Sequence, residues 1–197
     1  SRISEIQGIL AGIAANDKAY QQAVSSGDSL FSAANYMLAI AAYQNALKIK
    51  PSEVYPQQKV EEIVRIQTDI KASEEAYQKA IAQGDKLFTL KSYPDARNAF
   101  VLAKEIKPAE AYPQQKINEI DLLLSDLKAL EDAYTQAIEE GDRAFNASDY
   151  TAARPAYQKA STTKPAESYP KSKIAEIDRI LAERNRIQQE YDKAIAA

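Results

Sequence analysis

Two rows of polar side chains recur along the chain at a constant interval, and their chemistry is suited to holding a partner. One row consists of carboxylates and the other of tyrosines, and successive members of each row are 57 residues apart: Asp28, Asp85 and Asp142, and Tyr55, Tyr112 and Tyr169. A row of carboxylates favours basic or hydroxylated partners, while tyrosine offers a rigid apolar body and a polar tip for protein or glycan contact. These six residues are therefore candidate partner-binding residues.

Both rows also have a structural interpretation, and it is the one we favour. Each aspartate follows a glycine and can serve as a solvated or intrahelical carboxylate. Each tyrosine can pack on a neighbouring helical hairpin, while the glutamate two positions before it, as in Glu110-Ala-Tyr112, pairs with a lysine or caps the next helix. The sequence leaves the binding role and the structural role of the six residues open.

The composition excludes much of the usual catalytic chemistry. The 197 residues include no histidine and no cysteine, so the commonest general base, the commonest transition-metal ligand and thiol nucleophiles are missing. With 25 basic and 28 acidic residues interspersed, the formal charge of −3 gives no sign of a nucleic-acid surface. No apolar run approaches the roughly 20 residues of a membrane span. We expect no enzyme activity, no cofactor, no metal site, no nucleic-acid partner and no membrane span in this chain.

The two rows belong to a repeat that covers the chain. Near-identical segments open at Tyr20, Tyr77, Tyr134 and Tyr191, which gives three full copies, residues 20–76, 77–133 and 134–190, with partial copies at residues 1–19 and 191–197. Copies of one supersecondary unit bury apolar surface by stacking on their neighbours. We therefore expect one repeat array over residues 1–197, and we interpret the partial copies as the mark of a fragment of a larger multi-repeat protein.

Each copy predicts one long and one short helix. In the second copy, apolar residues at spacings of three and four predict a helix from about Pro113 to about Ala147, with Pro113 in its first turn. The apolar seam shifts register near Glu131, so a break there, giving a unit of three helices, is the open alternative. A glycine at one aligned position of every copy predicts the close approach of another helix: Gly27, Gly84 and Gly141.

The short helix has a predicted start and a predicted stop. Good N-cap residues stand just before it in all three copies: Asn35, Ser92 and Asp149. It ends before Lys107-Pro108, because the residue before a proline disfavours the α region. In the third copy Pro155 falls inside this helix, where proline costs about 3 kcal/mol, so we expect a late start or a kink there.

Counted from its opening tyrosine, each copy has glycine eighth, tyrosine seventeenth, alanine twentieth, an aromatic twenty-fourth, alanine twenty-seventh and proline thirty-second. This pattern resembles the tetratricopeptide repeat, whose unit has about 34 residues. The resemblance implies an all-α fold, a right-handed solenoid of alternating long and short antiparallel helices that binds proteins or peptides. The chain departs from the family at the fourth and seventh places, and its unit is longer by 57−34, or about 23 residues of periodic helix.

The resemblance also shapes the expected function. Val24, Ile81 and Ile138 stand where family members carry a lysine that grips a peptide's terminal carboxylate, so we do not expect that mode of recognition. The leading hypothesis is a non-enzymatic scaffold or protein-interaction module in a larger bacterial protein. The alternative is a structural spacer, stalk or end-to-end self-associating element of a cell-envelope protein. We favour the cell envelope or periplasm over the cytoplasm.

Overall fold

The computed structural model describes residues 1–196, which form seven α-helices and no β-strand. Long and short helices alternate: α1 (Arg2–Ser32), α2 (Tyr36–Ile49), α3 (Val54–Thr89), α4 (Tyr93–Ile106), α5 (Ala111–Asn146), α6 (Tyr150–Thr163) and α7 (Tyr169–Ile195). Neighbours in sequence pack in pairs, α1 with α2, α5 with α6, and α6 with α7. The prediction of an all-α fold built from alternating long and short helices is confirmed.

The chain divides into two compact units. The first comprises Ser1–Gln83 together with Glu105–Pro108, and the second comprises Gly84–Lys104 together with the chain from Ala109 onward. The expected single array over residues 1–197 stays a prediction.

The long helix is continuous. Helix α5 runs over 36 residues from Ala111 to Asn146, and it passes through Glu131 without a break. The predicted helix from Pro113 to Ala147 is thus confirmed to within two residues at each end, and the three-helix alternative is wrong. Pro113 lies in the first turn, where its missing N–H would have had no intrahelical acceptor, and its ring is buried.

The turn between each long helix and the next short helix has one conformation throughout. The residue two places after the helix adopts the left-handed region, with φ of 55°, 58° and 59° at Ala34, Lys91 and Ser148. In the first turn Asn35 N–H donates to the Leu30 carbonyl at 2.9 Å and Ala34 N–H donates to the Phe31 carbonyl at 2.9 Å, which is the Schellman pattern. The same pairs of bonds recur in the other two turns. The left-handed conformation could not be predicted from these residues, since none of the three is glycine.

The predicted N-cap residues lie where expected, but only one of them caps with its side chain. Each stands immediately before a short helix. The Asp149 carboxylate accepts from the Ala152 N–H at 3.0 Å, whereas Asn35 makes no side-chain cap bond and the Ser92 hydroxyl donates to Asp95 at 2.8 Å. The positions were predicted correctly, and the capping chemistry only for Asp149.

Of the late start or kink expected at Pro155, the late start is wrong and the kink stays a prediction. Helix α6 begins at Tyr150, the residue aligned with the first residues of α2 and α4, and like them it has 14 residues. Proline removes one donor, so the carbonyl of Thr151 loses its helical partner. Thr151 and Pro155 are both exposed, so water can serve that carbonyl.

Within each unit a short helix is enclosed by the end of one long helix and the beginning of the next. In the first unit Ala39 and Tyr43 of α2 cluster with Ile63 of α3, all at 0 % exposure. The second unit repeats this arrangement with α6 and α7, and its cluster consists of Ala153, Tyr157 and Ile177, again at 0 % exposure. We call each such group of three helical segments a module, and the end of the long helix with its short helix a hairpin. Burial of an isoleucine side chain such as Ile63 or Ile177 contributes roughly 1.5–3 kcal/mol.

Candidate functional site

The two predicted rows meet in one cluster per copy. The Asp28 carboxylate accepts from the Tyr43 hydroxyl at 2.7 Å and from the Tyr55 hydroxyl at 2.8 Å. Asp142 accepts in the same way from Tyr157 at 2.6 Å and from Tyr169 at 2.7 Å. Because each pair of hydroxyls donates to the same oxygen, Oδ1, one carboxylate joins a long helix, the short helix after it and the start of the next long helix.

The cluster of the second copy lacks one hydroxyl. The Asp85 carboxylate accepts from the Tyr112 hydroxyl at 2.6 Å, but Phe100 stands where the other copies have Tyr43 and Tyr157. The ring of Phe100 is nonetheless at 0 % exposure, and its centroid lies 6.0 Å from that of Tyr112 in an edge-to-face arrangement. The corresponding distances in the other two copies are 6.4 and 6.2 Å. The ring packing is therefore common to all three clusters.

The recurring glycine admits this ring. A Cβ atom added at Gly27 would lie 2.6 Å from Cε1 of Tyr43, and one at Gly84 or Gly141 would lie 2.7 Å from the ring of Phe100 or Tyr157. Real Cβ contacts are essentially never that short. The predicted close approach at the three glycines is confirmed, and the aspartate that follows each glycine is thereby brought beside the aromatic side chain.

The tyrosines of the first and third clusters keep their protons at neutral pH and act as hydrogen-bond donors. Burial, aided by the hydrogen bond to Asp28, raises the pKa of Tyr43 far above its ordinary value, and burial with the bond to Asp142 does the same for the pKa of Tyr157. Hydrogen bonds to the same carboxylates raise the pKa of Tyr55 and of Tyr169. Protonated phenols stabilise the clusters as donors and are unsuited to act as bases or nucleophiles.

The partner-binding role of the six candidate residues stays a prediction. Their side chains bind one another, so the two rows are a single feature in which the carboxylate oxygen Oδ1 is already an acceptor. Tyr55, Tyr112 and Tyr169 still expose 41, 38 and 43 % of their surface, so part of each tyrosine lies at the surface of its cluster. The recurrence of both rows at one interval was the available signal that they meet.

A lysine lies beside each cluster. Lys59, Lys116 and Lys173 pair with the glutamate three residues on at 2.8, 2.8 and 2.9 Å, as expected of ordinary intrahelical pairs. The sequence did not show that their ammonium groups also lie over phenylalanine rings, 4.6, 4.5 and 4.0 Å from the centroids of Phe31, Phe88 and Phe145. These cation–π contacts attach the start of a long helix to the end of the previous one.

The opening tyrosine of each copy has a similar role. Lysines at the end of the short helices lie 5.1, 5.1 and 4.9 Å from the ring centroids of Tyr20, Tyr77 and Tyr134. Each of these lysines pairs with a carboxylate 33 positions before it: Lys50 with Asp17, Lys107 with Glu74, and Lys164 with Glu131. Glu131, near which a helix break was the open alternative, instead pairs with the lysine that follows the short helix, and Glu74 does the same in the preceding copy. The recurrence of opposite charges 33 positions apart could have revealed this.

One pair of positions is polar in two copies and apolar in the other. Arg97 and Asp121 form two hydrogen bonds, at 2.6 and 3.2 Å, and Arg154 and Asp178 form two at 2.7 and 3.3 Å. The aligned residues of the first copy are Ile40 and Val64. The two positions thus change together, from an ion pair in two copies to two apolar residues in the other.

An open groove lies on the α1–α2 hairpin. It has a volume of about 590 Å³, and its lining is apolar or uncharged: Ala19, Gln22, Ala23, Ser26 and Leu30 of α1, and Leu38, Ala41, Ala42, Asn45 and Ile49 of α2. No lining residue is charged, in a chain with 27 % charged residues. The groove could not be predicted from the sequence, because seven of its ten lining positions vary among the copies and only the pairing of the helices brings its residues together.

Fold and site together define a helical-repeat protein whose recurring polar residues bind one another inside each repeat. Among residues 1–196 no group of histidine, cysteine, aspartate and glutamate side chains is arranged to hold a metal ion, and no helix in that range is long and apolar enough to cross a membrane.

No protein-family model matches the chain, and no curated protein does. Among solved structures, the chain aligns with one from the functional characterization of Pseudomonas aeruginosa PilF. The alignment covers 87 % of this chain and 88 % of the PilF chain, with 16 % sequence identity and a TM-score of 0.27. The assignment to helical-repeat proteins rests on the repeat and its helix pairs.

Proposed function

We propose that the chain is a non-enzymatic, tetratricopeptide-like scaffold that binds segments of other proteins. The observation that carries this proposal is the contrast between buried positions, which are constant from copy to copy, and exposed positions on the same helices, which are not. Alanine stands at 0 % exposure at two aligned positions of every short helix: Ala39, Ala96 and Ala153, and Ala46, Ala103 and Ala160.

The exposed positions next to these alanines change in every copy. The position before the first alanine is Leu38, Asp95 or Ala152, and the position before the second is Asn45, Leu102 or Lys159. All six of these residues are exposed. Copies of one framework can in this way present different side chains to a ligand, which an interaction array can use and a spacer does not require.

The groove on the α1–α2 hairpin is the surface we assign to binding. Its leucine, isoleucine and alanine side chains suit an apolar segment, and Gln22, Ser26 and Asn45 can bond to a backbone or to uncharged polar side chains. Because the lining carries no charge, a strongly charged ligand would lose hydration there without compensation. We therefore propose as ligand an apolar, uncharged segment of another protein.

A photocrosslinking residue at Leu38 tests this proposal. Leu38 lies in the groove and is 52 % exposed, whereas Leu122 of α5 lies outside it and is 64 % exposed, which makes a probe at Leu122 the matched control. We expect a discrete protein adduct from the Leu38 probe in the native cells and none from the Leu122 probe. The substitution Ala41→Asp should weaken the binding of the purified partner by at least about tenfold, because it places a charge in an apolar contact.

Adducts from both probes, or from neither, would contradict the scaffold proposal and favour the spacer. The spacer hypothesis also expects the full-length protein to tolerate deletion of one 57-residue copy. We further propose a location in the cell envelope, which the absence of cysteine permits and which fractionation of the native cells would check.

A further inference from the structure

A pocket lies where the start of α2 meets the middle of α3. It has a volume of about 700 Å³, and its lining comes from one residue of α2 and five of α3: Tyr36, Gln67, Ile70, Lys71, Glu74 and Glu75. The tyrosine ring and Ile70, which is 56 % exposed, supply apolar surface beside charged side chains. All six residues belong to the first compact unit. The pocket shares no lining residue with the α1–α2 groove and is therefore a separate surface.

The third copy shows which side chain can cover this tyrosine. Tyr150 aligns with Tyr36, and Arg184 of α7 aligns with Ile70. The guanidinium of Arg184 lies over the ring of Tyr150, 5.2 Å from its centroid, which is a cation–π distance. Among residues 1–196 no lysine or arginine lies in this way over the ring of Tyr36. The repeat thus contains the same tyrosine with a guanidinium over its ring and without one.

The charge at two neighbouring positions changes along with that side chain. Two carboxylates line the pocket of the first copy, and two amides take their places in the third copy: Glu74 and Glu75, aligned with Gln188 and Gln189. The second copy has Leu127 in place of the arginine, and it too has two carboxylates there, Glu131 and Asp132. The copy that supplies its own guanidinium is thus the one with no carboxylate at these positions.

Of these four carboxylates, that of Glu75 is the least engaged. The other three form hydrogen-bonded pairs with lysines of the chain: Glu74 with Lys107, Glu131 with Lys164 and Asp132 with Lys128. Glu75 lies 3.8 Å from Lys71, and the two side chains are 70 and 79 % exposed. An ion pair so long and so exposed is weak. The Glu75 carboxylate can therefore bind another cation at little cost.

We propose that this pocket binds an arginine side chain of another protein. The guanidinium lies over Tyr36, as that of Arg184 lies over Tyr150, and it donates hydrogen bonds to the Glu75 carboxylate. The aliphatic part of the arginine lies along Ile70. Arginine suits the pocket better than lysine, because a planar guanidinium can stack on a ring and pair with a carboxylate at the same time. This goes beyond the proposed function, which concerns an uncharged segment in the α1–α2 groove.

N-acetyl-arginine amide tests the inference, since it presents the arginine side chain without charged termini. It is titrated into the isotope-labelled intact chain, and the amide signals of Tyr36, Ile70 and Glu75 are followed by NMR. N-acetyl-citrulline amide, which has nearly the same shape and no charge, is the matched ligand control. We expect saturable shifts with the arginine probe and at least about tenfold weaker binding of the citrulline probe. The signal of Tyr150 should not move, because Arg184 already covers its ring.

Two substitutions at one exposed position sharpen the test. Ile70→Arg places a guanidinium of the chain itself where the third copy has one, so it should weaken binding of the arginine probe by about tenfold or more. Ile70→Met adds an unbranched apolar side chain without a charge, and as the matched control it should bind the probe within about twofold of the unmodified chain. Ile70 is 56 % exposed, so both variants should fold like the unmodified chain, as circular dichroism would show.

Three results would overturn the inference. The first is the absence of saturable shifts at up to about 50 mM of the arginine probe. The second is equal affinity for the arginine and citrulline probes, since the charge would then play no part. The third is unchanged affinity after Ile70→Arg, since a guanidinium of the chain would then not compete for the ring of Tyr36.

Discussion

The Tyr157 cluster and the Phe100 cluster differ by one hydroxyl group and are otherwise built alike. Both rings are at 0 % exposure, both lie over a glycine of the preceding long helix, and both meet a tyrosine of the next one edge to face. Only Tyr157 donates to an aspartate. The difference indicates that the hairpin requires the ring, and that the hydroxyl adds to the stability of a site the ring has already filled.

The largest effect should follow removal of either ring. Tyr157→Ala and Phe100→Ala each leave a cavity in a closed contact, and each should lower the free energy of unfolding by about 3–5 kcal/mol. Denaturant unfolding followed by circular dichroism measures this loss. Equal losses within about 1 kcal/mol would support a common role for the two rings, whereas a much smaller loss at Phe100 would break the comparison.

The next effect comes from the glycines beneath the rings. Gly141→Ala and Gly84→Ala place a methyl group 2.7 Å from a ring atom, so each should destabilise the protein by about 1–3 kcal/mol through overpacking. Gly12→Ala is the matched control, because nothing lies within 4 Å of its added Cβ and alanine is the better helix former by up to about 1 kcal/mol. If Gly84→Ala leaves the free energy of unfolding unchanged while Gly141→Ala lowers it, the hairpin that contains Phe100 is the more loosely packed of the two.

Removing the hydroxyl from one cluster and adding it to the other should change the free energy of unfolding by less, and in opposite directions. Tyr157→Phe removes the bond to Asp142 and should cost about 0.5–1.5 kcal/mol, while Phe100→Tyr can add a bond to Asp85 and should stabilise by a similar or smaller amount. Local amide exchange in α4 and α6 resolves the two changes separately. Destabilisation by Phe100→Tyr would mean that the second copy has no room for the hydroxyl.

The smallest effect is the contribution of the hydroxyl to the dependence of stability on pH. The folded state raises the pKa of Tyr157, so the stabilisation is fully present below the unfolded pKa of about 10 and is lost as pH rises above it toward the folded pKa. Tyr157→Phe should make the fall in unfolding free energy above about pH 10 less steep. Unchanged steepness would show that the loss at alkaline pH comes from the other tyrosines.

Much of the fold followed from local pattern. The spacing of apolar residues predicted the long helix, since one face of a helix must be apolar to be buried, and the recurring glycine predicted a close contact that the ring of Tyr157 makes. The conformation of the turn at Ser148 and the regular start of α6 were not predictable. In each case a locally unfavourable conformation is stabilised by packing against the rest of the protein, and the residue type alone does not show this.

The sequence by itself determined the 57-residue period, the alternation of long and short helices and the absence of histidine and cysteine chemistry. Those features are local or compositional, so they can be seen without knowing which residues meet. Only the tertiary structure decided that Asp142 serves Tyr157 and Tyr169 together, and that Glu131 holds a short helix rather than breaking a long one. The physical reason is that these partners lie 15 to 33 positions apart, and a hydrogen bond or ion pair over that distance exists only when the packing of helices brings its atoms within about 3 Å.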